Sequence, residues 1–159
     1  MFVEELNKRI RKVVVENKIP NPINITLTER QQFNGINIDD VVSEQNVRHF
    51  RNVLNRKIFG NRYRRFGTEL KMLVIREVSS HQRHHLHLIV EQPNRLTYPE
   101  FKKLVKDCWL KTDFGHFQTH FEKPCSEERE DGWVSYLLKN RTKVSLESSI
   151  DWSNSTIFH

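Results

Sequence analysis

The chain has little cysteine: only Cys108 and Cys125 among 159 residues. Neither has the paired spacing of a structural zinc site, and Cys108 falls in an apolar helical stripe, where a thiol serves as a small buried hydrophobe. No apolar run approaches the roughly 20 residues that a membrane-spanning helix needs. Export is not expected either, because Met1-Phe2-Val3-Glu4-Glu5 places acids where a secretion signal carries basic residues before an apolar stretch. There is no internal repeat and no low-complexity tract. The expectation is a soluble, intracellular protein with no membrane partner.

What is present suits one domain over 1–159, since 36% hydrophobic residues in this length can bury a single core. Twenty-six Lys and Arg against 20 Asp and Glu give a formal net charge of +6, which favours an anionic partner such as nucleic acid.

Phe2, Leu6, Ile10, Val13 and Val14 repeat at helical spacing and predict an N-terminal helix within 1–20, stopped by Pro20-Asn21-Pro22. Ile23, Ile25 and Leu27 alternate with Asn24, Thr26 and Thr28 as a strand. Asp39 or Asp40 opens a helix with the stripe Val47, Phe50, Leu54 and Ile58, ended by Gly60 and Asn61. Residues 70–78 and 85–90 predict a hairpin. Thr97 with Glu100 forms a capping box before the stripe Phe101, Leu104, Val105, Cys108 and Trp109. Phe117 and Phe121, alternating with His116, Gln118 and His120, predict a fourth strand with the phenylalanines inside. Ser126 starts a last helix carrying Trp133, Val134, Leu137 and Leu138, and 143–159 shows no periodicity. The fold class expected is α+β: an antiparallel ferredoxin-like or RRM-like sheet with helices on one face and the site on the other, open face.

In His84-His85-Leu86-His87-Leu88-Ile89-Val90 a strand sends Leu86, Leu88 and Val90 to the core and His85 and His87 to the opposite face. Their Cα atoms would lie roughly 6.5 Å apart, a workable separation for sharing one ion. Glu77, on the preceding strand, joins that face in any register that sets odd residues against odd ones. Two imidazoles and a carboxylate suit Mn²⁺ or a similar divalent ion. Tyr136 points away from the apolar stripe of its helix, with Lys139 one turn later. Arg48, Arg51, Arg56, Lys57, Arg62, Arg64 and Arg65 fall in a stretch with no acid and with Phe59, Tyr63 and Phe66 interleaved, a composition suited to phosphates and stacked bases.

Together the His-Leu-His strand, Glu77 and the Tyr136-X-X-Lys139 pattern resemble the HUH endonuclease superfamily, more narrowly its single-tyrosine rolling-circle replication initiators. The resemblance spans about 23–140. It implies Mn²⁺ or Mg²⁺ held by Glu77, His85 and His87, attack by Tyr136 aided by Lys139, and a 5′-phosphotyrosine with a free 3′-hydroxyl. Single-stranded DNA bearing an origin hairpin is the implied partner, with a separate helicase or host replication proteins. The implied place of action is the cytoplasm, or the nucleus for a eukaryotic virus. Thr26, Thr28, His116, Gln118 and His120 are expected on the DNA surface, the last three as further metal candidates. Two other readings share these residues: a single-tyrosine transposase of the same superfamily, and a non-catalytic single-strand RNA or DNA binding module.

Overall fold

A computed structural model of the chain describes residues 2–78, 83–123 and 149–159. In chain order these form α1 (Phe2–Glu16), β1 (Pro22–Glu29), β2 (Gln32–Phe33), β3 (Ile36–Asn37), α2 (Asp40–Phe59), α3 (Asn61–Phe66), β4 (Met72–Val78), β5 (His84–Glu91), α4 (Tyr98–Leu110) and β6 (Gly115–Glu122), with a 3-10 turn at Thr156–Phe158. The starts of α1, α2 and α4 are those the sequence predicts, whereas α3 is a separate helix where the sequence predicts only the end of α2 at Gly60 and Asn61. The Asp39 carboxylate accepts from Val42 N at 2.8 Å, and Thr97 with Glu100 forms the reciprocal capping box. Asn34-Gly35, both at positive φ, turns β2 into β3, a short hairpin the periodicity did not announce.

Four strands pair antiparallel in the order β4-β5-β1-β6, and α2 and α4 cross between them, an α+β arrangement compatible with a ferredoxin-like fold. Alternation decides what each face carries. Ile23, Ile25 and Leu27 of β1, Leu86, Leu88 and Val90 of β5, and Met72 and Val74 of β4 bury against α2 and α4. There Phe50 and Trp109 meet edge to face, 5.5 Å between centroids.

The opposite face is not polar throughout. Leu73, Ile75 and Ile89 are buried there with Ile10 of α1 and with Ile150 and Ile157. The C-terminal residues, which lack periodicity, therefore have a defined place. Ile150 bridges Ile75, and Asp151 N donates to Val74 O at 2.9 Å. Ser155 Oγ accepts from Val74 N and Thr156 Oγ1 from Met72 N, each at 2.9 Å. Outward-facing backbone groups of Met72 and Val74 on the edge strand β4 are thus satisfied within the chain, which blunts that part of the edge against pairing with another molecule. What this cover leaves is the end of the face where β1 finishes and β5 begins.

Candidate functional site

Register places the histidines. On β5, His85 stands between Glu77 of β4 and Thr28 of β1, and His87 between Ile75 and Thr26. This is the odd-to-odd pairing that puts Glu77, His85 and His87 on one face. Each imidazole has a threonine hydroxyl at Nδ1: Thr26 Oγ1 lies 3.3 Å from His87 and Thr28 Oγ1 3.4 Å from His85. The Glu77 carboxylate meets His87 Nε2 at 3.2 Å. His87 is buried and His85 half-buried.

The partners of His87 admit two tautomers. With the proton on Nε2, the ring donates to Glu77 and the Thr26 hydroxyl donates to Nδ1. With the proton on Nδ1, the ring donates to Thr26 and Nε2 offers a lone pair to a cation. In that second tautomer the Thr26 hydroxyl accepts from Nδ1 and helps to fix the plane of the ring. Two imidazole nitrogens and a carboxylate oxygen make a mixed donor set that suits Mn²⁺ better than Mg²⁺, which takes oxygen ligands. The residue types fit such an ion. They are not drawn into a closed cluster: among the described residues no three His, Cys, Asp or Glu side chains converge as a metal site.

Other expected site residues are placed differently. Thr26, half-buried, and Thr28, buried, lie against the imidazoles of His87 and His85. On β6, His120 is opposite Thr26 and reaches Glu122 only at 4.0 Å, while His116 Nδ1 accepts from Gln118 N at 3.1 Å. The register shifts between Leu27 and Glu29, because β6 runs from Thr119 to Gly115 where β1 advances two residues. This bulge takes Phe117 out of the alternation. Instead of lying inside, it is 73% exposed and stacks on His116, 4.4 Å between centroids. Gly115 is required at the bulge, since a Cβ there would lie 2.0 Å from the Trp109 carbonyl oxygen. His84, next to the pair, faces the helix side; burial pushes its pKa down, which keeps it neutral.

The basic stretch is not brought to the histidines. α2 packs on the opposite face of the sheet, so Arg48, Arg51, Arg56 and Lys57 lie behind it. Arg48 pairs with Glu44 at 2.8 Å, and Arg51 donates to Ser153 O at 2.9 Å. Arg62 covers the Phe59 ring, and Arg64 and Arg65 are exposed in the last turn of α3. Tyr136 and Lys139, with the helix expected to carry them, lie outside the described residues.

Sequence reading also missed Glu29. Periodicity puts it at the end of β1, and only the fold shows that it is buried. Ser43 Oγ donates to its Oε1 at 2.6 Å, and Arg76 links Ser43 Oγ at 3.2 Å to Asp151 at 3.1 Å. Burial pushes the Glu29 carboxyl up to about 7, against the opposing pull of the Ser43 hydroxyl and Arg76. Among the described residues, no helix is long and apolar enough to cross a membrane. Set against protein-family models, curated proteins and solved structures, the chain matches none of them.

Proposed function

We propose that the chain nicks single-stranded DNA at the His85–His87 face, with Tyr136 as nucleophile, as an initiator of rolling-circle replication acting on an origin hairpin beside a separate helicase or host replication proteins. The observation that carries this reading is the arrangement of two adjacent imidazoles, each braced at Nδ1 by a threonine hydroxyl, with a carboxylate at the Nε2 side. His85, His87 and Glu77 are the residues that would hold Mn²⁺ or Mg²⁺, which supplies Lewis-acid withdrawal of charge from phosphate oxygens. Thr26 and Thr28 keep both rings in one orientation. Tyr136 Oη forms a bond to the scissile phosphorus as the bond to the 3′-oxygen breaks. The phenol loses its proton and the leaving 3′-oxygen gains one. A phenol has an ordinary pKa of about 10, so the positive charge of Lys139, three residues later in the sequence, would favour the phenolate.

The test is incubation with labelled single-stranded, origin-like DNA and Mn²⁺, followed by a denaturing gel. The parent protein should form a covalent adduct and Tyr136→Phe none, with near-equal non-covalent binding. An adduct mapped by mass spectrometry to Tyr63 or Tyr98 would overturn the assignment. Tyr63 already donates its hydroxyl to Asn52, and burial pushes the Tyr98 phenol up, so neither is prepared to attack. The second reading, a non-catalytic single-strand binding module, is favoured by the exposed ring of Phe117 and expects binding without an adduct in either protein.

A further inference from the structure

The end of β1 opens into a cavity of about 430 Å³, lined by Thr28, Arg30, Gln31, Gln32, Arg83, His116 and Phe117 with Glu29. We infer that this cavity takes one unstacked nucleotide of the DNA single strand, its base on Phe117 and its phosphate toward Arg30 and Arg83. The inference rests on the DNA-nicking reading, since Thr28 both lines the cavity and contacts His85, which makes the bound nucleotide a near neighbour of the phosphate at the histidines.

Size and chemistry agree. The volume falls in the range of small-ligand sites, roughly 300–1,000 Å³. Phe117 leaves 73% of its surface in water, and its other side is backed by the nearly parallel ring of His116, at 26°. A ring supported from behind and bare in front is a stacking surface for a base. It is also held firmly: Arg30 N donates to Phe114 O at 2.7 Å, and Trp109 Nε1 donates to Thr28 O at 3.3 Å, so β1, α4 and the start of β6 are tied together around the cavity. The two guanidinium groups supply charge for a phosphate, and the amides of Gln31 and Gln32 can donate to or accept from a base edge. A base paired within a duplex could not enter, which restricts the ligand to a single strand or an extruded nucleotide.

The experiment uses the full chain in chelator, so that binding is read without cleavage. Fluorescence anisotropy follows a single-stranded DNA in which an abasic residue replaces each nucleotide in turn. One position should weaken binding to the parent about 5- to 100-fold, the range of a lost base–aromatic stack. Phe117→Ala should bind the intact strand weakly by a similar factor and lose nothing more at that position, while Phe117→Tyr should behave as the parent. Equal affinity of parent and Phe117→Ala, an abasic penalty that persists unchanged in Phe117→Ala, or tighter coupled binding to the matching RNA would each overturn the inference. A parent that forms the covalent adduct yet shows no abasic-sensitive position removes the nucleotide cavity and leaves the nuclease standing. Coupling between Phe117 and one base without any adduct does the reverse.

Discussion

His85 and His87 illustrate how far single residues can be read from a strand pattern. Period-two alternation with Leu86 and Leu88 puts both imidazoles on one face, and parity across the hairpin adds Glu77. Thr26 and Thr28 are equally visible as polar alternates of β1. Their role is not, because it depends on β1 being the neighbour of β5, a pairing that no local pattern encodes. That role is testable: Thr26→Val keeps the shape of the side chain but removes the oxygen 3.3 Å from His87 Nδ1. Mn²⁺ affinity, measured by calorimetry, should fall about tenfold or more, as outer-shell losses do, with an unchanged circular dichroism spectrum. Unaltered affinity would mean that the hydroxyl does not orient the ring.

Glu29 gives a second prediction at the same scale. Its carboxyl is raised in the folded chain from 4.5 to about 7, so the native state binds a proton that the unfolded state has released. The stabilisation is therefore complete below about 4.5 and is lost as pH rises through about 7. A shift of this size corresponds to something on the order of 3 kcal/mol. Urea denaturation of the parent should show stability falling across that window, and Glu29→Gln should flatten the fall. A profile of the same slope in Glu29→Gln would place the titration elsewhere.

Among the elements, those with strong periods were legible: the capped helices α2 and α4 and the strands with one apolar face. The β2–β3 hairpin and α3 were not, and neither were two larger features. The bulge in β6 breaks alternation through a register shift opposite Leu27 to Glu29, which reverses the expected position of Phe117. The C-terminal residues have no period because polar side chains do the docking: Ser155 and Thr156 stand in for a neighbouring strand, and Asp151 carries the buried ion pair with Arg76 at 3.1 Å. Asp151 also accepts from Asn154 N and Asn154 Nδ2. Asp151→Asn should leave the buried guanidinium without its counter-charge and destabilise the chain by about 3 kcal/mol, read as a lower urea midpoint. A midpoint equal to the parent's would show that the segment docks without this pair.

For the whole molecule, the sheet divides the surface into two parts that the sequence could not separate. The HUH-like pattern and the basic stretch are near each other only in composition; in space the histidines occupy one face, and α2 lies behind the other. α3 leads into the Met72 end of β4, whereas Glu77 and the histidine pair lie toward the other end of the strands. The exposed Arg62, Arg64 and Arg65 of α3 instead suit the phosphates of a longer ligand that wraps past the sheet, such as the stem of a hairpin. Replacing these three residues with alanine should then have opposite outcomes for two ligands. For a short single strand, affinity and its salt dependence should match the parent. For a hairpin carrying the same single strand, the slope of log affinity against log salt should become shallower by roughly 2 to 3, the release of counterions lost with three phosphate contacts. If the short strand loses slope as well, the DNA crosses the edge of the sheet within a few nucleotides. If neither ligand responds, the basic stretch is a solvated helix surface and contributes only to the net charge.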